Sequence, residues 1–390
     1  MSTIFVLGAC AAAVKAAQEI QKKNSEDTVV LYSLDGSKPL NQDGIAAFLG
    51  KKKTLGELDY PTGDLKIETE QKISKVNLKR KRLYLENKEQ VAFDQMVIAE
   101  TGAWKFPEIK GTNKTGCFIL KGRKNLEKIL DQISLSEDII FQSETPEGLA
   151  CALALTKRER TVTLAYTGRS LLPGMTDPEM EAAFVAYCAT QGLVVYPRVS
   201  IAEILGDAEL KAVRLSSGKV LAAQCVLFPE ARPDVRIFSE PPELRHGLLD
   251  INDKYETTVS GIYALGPCAQ GDFLSTAEAE YHAGRLAQVL AVETPITEAP
   301  LKDFSLHLEG LHLARLGNLQ GAEGVVEQVY WQKEPFIWKK FWVRHNCLQG
   351  VLLVNAPEDE AKLREYLTQR TPVEGQLAQF AIPEMAVKDT

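Results

Sequence analysis

The first residues of the chain read as a strand, a tight turn and a helix, which is how a dinucleotide-binding fold begins. Residues 3–14 read TIFVLGACAAAV. In the G-x-G-x-x-G/A pattern of such turns, Gly8 stands at the first glycine, Cys10 at the second and Ala13 at the third. The second glycine lets a pyrophosphate approach bare backbone, whereas Cys10 places a side chain there. The pattern therefore predicts the fold more strongly than it predicts the ligand.

A second strand–helix–strand unit begins more than a hundred residues later. Residues 138–141 read as a buried strand, 147–155 as a helix and 161–166 as the next strand. Such units imply parallel strands joined by right-handed crossovers. The predicted fold class is α/β, with two interleaved Rossmann-like domains and a C-terminal α+β domain. The predicted bounds are 1–115 with 230–300 for the first dinucleotide-binding-type domain, 116–229 for the second, 301–373 for the C-terminal domain and 374–390 for a loosely attached tail.

The composition of the chain limits which classes of partner it can bind and in which compartment we expect it. The net charge of −7 argues against nucleic acid as a partner. No apolar run approaches the roughly 20 residues of a membrane span, and the start shows no basic leader, so we expect a cytoplasmic protein without a membrane span.

The seven cysteines are scattered, with no C-x-x-C pair. This spacing predicts neither a metal site nor an iron–sulfur cluster in this chain. Cys10 has two interpretations. It is either a redox thiol at a helix N-terminus or a small core residue that fills space left by a lost cofactor.

Several stretches occur in the order found in one enzyme family: residues 97–103, 169–173, 232–233, 261–266 and 330–354. With the two dinucleotide units, they make the chain resemble the pyridine-nucleotide-dependent flavoprotein reductases, in particular rubredoxin reductase and the flavoprotein part of NADH-dependent nitrite reductase. The resemblance extends to about residue 370. It implies FAD in the first unit, NAD(P)H in the second, and hydride transfer from nicotinamide to flavin.

The family's FAD contacts map onto positions that are partly changed. The resemblance places the FAD cleft at Gly8, Cys10, Ala13, Asp35, Thr101, Gly102 and Gly266. Leu34 stands where the family has the acid that holds the adenosine ribose, and Asp35 takes that role only if the turn shifts. Gln42-Asp43 and Ala47 replace the cationic support near the flavin. Pro267 replaces the ribityl-binding aspartate and offers neither a carboxylate nor an N–H group.

The second turn departs further from the family. Where a glycine-rich turn is expected, residues 142–148 contain one glycine and two carboxylates, Glu144 and Glu147, which we expect to be aimed at the pyrophosphate position. Tyr166 stands at the position of the ribose-binding acid. We therefore expect no NAD(P)H binding in this unit.

The C-terminal region has the densest aromatic cluster. Trp338 and Trp342 share one strand face while Phe341 lies on the other, which predicts that part of this surface meets a partner. Lys339 and Arg344 would suit an acidic partner.

Three functional hypotheses remain open, and the sequence predicts no catalytic residue. The first is a reductase-like subunit of a redox complex with reduced cofactor sites, partnered by another redox protein that is acidic or carries an iron–sulfur cluster. The second is an FAD enzyme that exchanges electrons with a small iron–sulfur protein. The third is an NAD(P)H-dependent reductase.

Overall fold

The structure is a computed structural model that describes residues 2–34, 36–172, 178–270, 276–291, 304–308, 311–319 and 323–381. The chain divides into two compact units, one formed by residues 1–141 and 201–298 and the other by residues 142–200 and 299–390. Within the described ranges, no helix has both the length and the apolar character needed to cross a membrane. The domain bounds inferred from the sequence stay a prediction.

Strands outnumber helices along the described part of the chain. The strands before residue 142 are β1 (Thr3–Leu7), β2 (Thr28–Tyr32), β3 (Ile67–Glu68), β4 (Ile73–Asn77), β5 (Arg82–Leu85), β6 (Gln90–Ala92), β7 (Gln95–Ile98), β8 (Trp104–Lys105), β9 (Cys117–Ile119) and β10 (Asp138–Gln142). The later strands are β11 (Thr161–Ala165), β12 (Leu193–Tyr196), β13 (Ile201–Leu205), β14 (Ala212–Leu215), β15 (Val220–Ala222), β16 (Cys225–Phe228), β17 (Arg232–Pro233), β18 (Leu244–Arg245), β19 (Leu248–Leu249), β20 (Ile262–Ala264), β21 (Phe304–Leu308), β22 (Leu311–Gly317), β23 (Val326–Gln332), β24 (Ile337–Arg344) and β25 (Cys347–Val354). The helices are α1 (Ala11–Lys23), α2 (Ile45–Leu49), α3 (Arg123–Leu135), α4 (Pro146–Thr156), α5 (Pro178–Thr190), α6 (Thr276–Leu290) and α7 (Pro357–Gln369).

The centre of the first unit is a parallel sheet in the order β20-β7-β1-β2-β3. Ile4 and Val6 of β1 point to one face and pack with buried residues of α1 and α6, whereas Phe5 and Leu7 point to the other face. Both faces are covered, so β1 reads as a continuous apolar run, as expected of a buried parallel strand. The sheet brings the carboxyl ends of β1, β2, β7 and β20 to one edge.

Other strands of the first unit pair outside this sheet. β10, β16 and β9 pair in parallel, and β4–β6 and β13–β15 form antiparallel meanders. In the second unit, β11 pairs in parallel with β12. The α/β class with parallel, Rossmann-type strand pairing is therefore confirmed.

The C-terminal part of the second unit is an antiparallel sheet in the order β21-β22-β25-β24-β23. Alternate residues of β22, β24 and β25 pack with α7 and with the short helix Leu377–Phe380. Leu377 and Phe380 are buried, and the carbonyl of Phe380 accepts a hydrogen bond from Lys339 Nζ at 3.1 Å. The expectation of a loose tail from residue 374 is therefore wrong for residues 374–381, because these apolar side chains complete a core.

Candidate functional site

The first dinucleotide-type turn links β1 to α1. Gly8 has φ of +143°, and a Cβ at this position would lie 3.0 Å from the backbone nitrogen of Glu100. Glycine is therefore needed here for space as well as for conformation. Ala13 is fully buried where α1 meets the sheet. Gly8 and Ala13 thus lie where the sequence pattern predicts them.

A carboxylate of the chain itself lies on this turn. The Ala9 N–H donates to Glu100 Oε2 at 2.9 Å. Glu100 follows β7, which neighbours β1 in the sheet, so its side chain reaches the start of α1 across the carboxyl edge. Glu100 belongs to one of the stretches that carry the family resemblance, but sequence reasoning assigned it no role. The sequence did contain a signal for this contact. Glu100 comes just after β7, and an acid in that place, next to β1 in the sheet, faces the turn.

Cys10 is the N-cap residue of α1, and only 2% of its surface is exposed. Burial, followed by the negative charge of Glu100, raises the pKa of the Cys10 thiol well above its usual value, although the Ala12 and Ala13 amides act in the opposite direction. Cys268 is also buried, and its pKa is raised by burial first and by Glu100 second. A thiol held protonated in this way is a poor nucleophile. These contacts favour the core-residue interpretation of Cys10.

The loop after β20 closes on the same turn. Residues 266–268 form a short 3-10 helix in which Gly266 has φ of +73°, and a Cβ on Gly266 would meet Ala12 Cβ at 3.1 Å. Pro267 lies inside this helix, where it supplies no N–H group. The thiol of Cys268 donates to the carbonyl of Ile98 at 3.4 Å. The loop after β20 is thus held in place by packing and by hydrogen bonds to the backbone.

At the end of β2, Leu34 lies against the backbone of Gly102. A Cβ at Gly102 would lie 2.5 Å from Leu34 Cβ, and the φ of Gly102 is +73°. Thr101 is buried, and its hydroxyl donates to the carbonyl of Ala103 at 2.9 Å. Gly102 lines the same cleft as Gly8, and the role of Thr101 and Gly102 in FAD binding stays a prediction. Asp35 lies outside the described residues.

A cleft of about 520 Å³ opens beside this turn within the first unit. Gly8, Ala9, Leu34, Glu100 and Gly102 line one end. The other walls carry the aromatic side chains of Trp104, Phe106 and Phe118 and the lysines Lys121, Lys124 and Lys128. The cleft therefore combines aromatic surface with positive charge, and its three lysines were missed by sequence reasoning.

The second turn, which precedes α4, is closed by its own side chains. Thr145 caps the helix, since its hydroxyl accepts from Gly148 N–H at 3.3 Å, and Pro146 occupies the first helical turn. The Thr145 N–H donates to Ser143 Oγ at 3.2 Å. Glu147 adds a negative charge in the first turn. At this helix start the Thr145 and Gly148 amides are thus already bonded, and Pro146 has no N–H to offer a phosphate.

Glu144 does not point at the start of α4, contrary to our expectation. Its Oε1 accepts hydrogen bonds from Thr167 N–H at 2.8 Å and Gly168 N–H at 2.6 Å, in the turn after β11. This geometry arises because Gly168 leaves room for the carboxylate; a Cβ at Gly168 would lie 2.6 Å from Glu144 Oε2. The Glu144 carboxylate therefore lies at the turn after β11 and not at the start of α4.

Tyr166, at the end of β11, belongs to a buried polar cluster. It is fully buried, and its hydroxyl donates to Glu181 Oε1. The same carboxylate oxygen accepts from Leu171 N–H at 3.0 Å, and Arg198 lies 3.6 Å from its other oxygen. Burial first, and then the bond to Glu181, raise the pKa of Tyr166. A tyrosine thus stands where the family has its ribose-binding acid, and its hydroxyl is hydrogen-bonded to a buried carboxylate.

The predicted partner surface on β24 is mostly core. Trp338 is 1% exposed and Trp342 is 5% exposed, and the indole N–H of Trp342 donates to Glu327 Oε1 at 2.8 Å. Lys339 is also buried, with Nζ 2.5 Å from Asp359 Oδ2. Of the four predicted partner-binding residues, only Arg344 is exposed. The prediction that the two tryptophans anchor a partner is wrong, because both faces of β24 are buried at these positions.

Comparison with known proteins gives the family. The model of the pyridine nucleotide-disulphide oxidoreductases matches residues 2–283, and the chain belongs to this family. It is 21% identical over 341 residues to rubredoxin-NAD(+) reductase of Pseudomonas putida, covering 83% of this chain and 88% of that protein. It is 22% identical over 311 residues to nitrite reductase [NAD(P)H] of Bacillus subtilis (strain 168), covering 78% of this chain and 38% of that protein. The resemblance inferred from the sequence is thus confirmed.

A solved structure shows the same fold. The crystal structure of the covalent putidaredoxin reductase-putidaredoxin complex matches with a TM-score of 0.79 at 19% identity, covering 96% of this chain and 95% of that chain. The chain spans less than two thirds of the length of several curated relatives that it matches, with 63%, 38% and 50% of three of them covered.

Proposed function

We propose that this chain is a flavoprotein-reductase-like subunit of a redox complex, in which neither dinucleotide-type turn holds its family cofactor in the usual way. The observation that carries this proposal is the hydrogen bond from Ala9 N–H to Glu100 Oε2. A pyrophosphate in this turn would need that amide as a donor and would meet the carboxylate at contact distance.

The rest of the first turn supports the same conclusion. Cys10 occupies the position where backbone should be bare, and Pro267 offers no donor to a ribityl chain. The donor set around α1 therefore does not fit FAD in the family's manner. We expect FAD to be absent or weakly held.

The second turn supports the absence of NAD(P)H. The Gly148 amide is already bonded to Thr145, and Glu147 opposes an incoming phosphate. Residue 166 is a tyrosine that donates to Glu181, so it supplies no carboxylate for a ribose. No hydride donor is therefore expected to bind here.

We infer a protein partner from the family's members. One relative is named a rubredoxin-NAD(+) reductase, and one structural neighbour is a complex with putidaredoxin. A redox protein that is acidic or carries an iron–sulfur cluster is the partner class that we propose. Arg344 is the exposed cation of the predicted surface that such a partner could contact.

The purified full chain tests the cofactor proposal directly. Its visible absorption spectrum, with FAD measured after denaturation, is expected to show well under one flavin per chain. Calorimetric titration with NADH and NADPH is expected to show no saturable binding up to about 1 mM. One flavin per chain that survives gel filtration, or micromolar affinity for either nucleotide, would refute the proposal.

A second function is favoured by one observation, the lysine-lined cleft beside Gly8. Lys121, Lys124 and Lys128 could hold an FAD pyrophosphate displaced from the family's position, and the chain would then be a flavoenzyme that exchanges electrons with a small iron–sulfur protein. The same spectrum separates the two functions, because a flavoenzyme retains flavin and the proposed subunit does not.

A further inference from the structure

A cavity far from both turns in sequence lies within the second unit, between α5 and the C-terminal sheet. Its volume is about 900 Å³, within the range of small-molecule sites. Helix α5 contributes residues on one side, and the turn between β23 and β24 contributes residues on the other. None of the lining residues belongs to the first turn, to α4 or to the Tyr166 cluster.

Aromatic rings form the walls of this cavity. Tyr187 of α5 and Phe336 stack with ring centroids 4.9 Å apart and an angle of 18° between the planes. Trp331, at the end of β23, is half-buried and lies with its centroid 5.8 Å from that of Trp338. The cavity is therefore bounded by flat, rigid surfaces.

Small side chains on α5 keep the cavity open. Ala183 and Ala186 line it, and Ala186 is exposed to solvent. A large side chain at either position would project into the space between the helix and the turn. The opening thus depends on alanine at these two lining positions.

Some of the polar groups at the wall are bonded within the chain. The Asn355 side chain donates to the Phe336 carbonyl at 2.9 Å and accepts from the His312 N–H at 2.9 Å. Lys333 and Glu334, at the exposed rim, carry opposite charges. These features favour stacking over recognition of a charged group.

We propose that this cavity is a binding site for an uncharged planar aromatic molecule, which stacks on the Tyr187–Phe336 pair and against Trp331. The site is independent of the proposed function, since the cofactor turns contribute no residue to the cavity.

The test uses N-phenyl-1-naphthylamine, an uncharged aromatic probe whose emission rises in apolar surroundings. The full chain is expected to bind it saturably, with one molecule per chain. Ala186→Trp fills the cavity and should weaken binding at least about tenfold. Ala189→Trp is the matched control: Ala189 is exposed on the same helix and does not line the cavity. This control should change binding by less than about twofold.

Thr190→Trp provides an independent second variant, since Thr190 is exposed and lines the cavity. Circular dichroism checks that every variant keeps its fold. Probe binding that is unsaturable in the unsubstituted chain, or that is equal in Ala186→Trp and Ala189→Trp, would overturn the proposal. Binding of the anionic probe 8-anilinonaphthalene-1-sulfonate that is more than about tenfold tighter would overturn the assignment to an uncharged ligand.

Discussion

The turns before α1 and before α4 occupy equivalent places in two strand–helix–strand units, yet they are closed in different ways. Before α1, the carboxylate on the turn comes from Glu100, about ninety positions along the chain, and the first turn of α1 carries no acidic residue. Before α4, the closure is local: Thr145 caps the helix, Pro146 removes a donor and Glu147 adds charge.

This difference bears on how each anion site could be regained. A contact made by a distant side chain disappears with one substitution, and the amide beneath it becomes a donor again. A cap built from consecutive residues is part of the helix start itself, so removing it also weakens the helix. The first turn is therefore expected to be the easier one to convert back into a phosphate site.

The largest expected effect is the loss of the buried carboxylate beside the second turn. Glu181→Ala leaves the buried Tyr166 hydroxyl and the Leu171 N–H without their acceptor, so the variant should lose about 3 kcal/mol of stability. Urea unfolding of the full chain, followed by circular dichroism, measures this loss.

Two variants control for this effect. Glu365→Ala removes an exposed glutamate and should change stability by less than about 0.5 kcal/mol. Tyr166→Phe removes only the hydroxyl and should cost about 1 kcal/mol. If Glu181→Ala were as mild as Glu365→Ala, the cluster around Tyr166 after β11 would not depend on this buried carboxylate.

A smaller effect concerns the chemistry of Cys10 in the first turn. Because burial and then Glu100 raise its thiol pKa, little thiolate exists near pH 7, and the group becomes more reactive only as the pH rises. Iodoacetamide should modify Cys10 at least about 100-fold more slowly than the partly exposed Cys347. Peptide mass spectrometry of the native chain measures both rates. Comparable rates would restore the redox-thiol interpretation.

The elements around both turns could be predicted from the sequence because their signals are local. The apolar runs of β1 and β2 and the small residues of α1 lie in consecutive positions, and the structure has β1 at Thr3–Leu7 and β2 at Thr28–Tyr32. The side chain added at Cys10 and the N–H missing at Pro267 could also be predicted, because both follow from residue type alone.

The rest depends on contacts between distant residues. Residue order predicts that Glu144 faces α4, but the backbone amides of Thr167 and Gly168, more than twenty residues away, bind its carboxylate. Alternation on β24 indicates that one face of the strand is exposed, yet Phe341 and Trp338 are both buried. Strand periodicity gives the direction of a side chain but not what covers it.

The difference between the turns predicts that flavin binding can be improved in the first. The triple variant carries Glu100→Ala, Cys10→Gly and Pro267→Asp. These changes free the Ala9 amide, remove the side chain at position 10 and add a carboxylate for the ribityl chain. FAD affinity should rise at least about tenfold, measured by quenching of flavin fluorescence. Glu144→Ala, which removes a carboxylate from the second unit, should leave FAD affinity unchanged. Equal affinity in the triple variant and the unsubstituted chain would show that the first turn is not limited by these three contacts.

The smallest expected effect is on NADH binding at the second turn, where removing the carboxylate charges should not create a binding site. Glu144→Gln combined with Glu147→Gln neutralises both carboxylates, but Thr145 still bonds the Gly148 amide and Pro146 still offers no donor. Calorimetric titration with NADH should therefore remain without saturable binding up to about 1 mM. Micromolar binding by this variant would mean that charge alone closes the second turn. The Thr145 cap and Pro146 would then not be what closes the second turn, and the proposed role of a cap built from consecutive residues would fail.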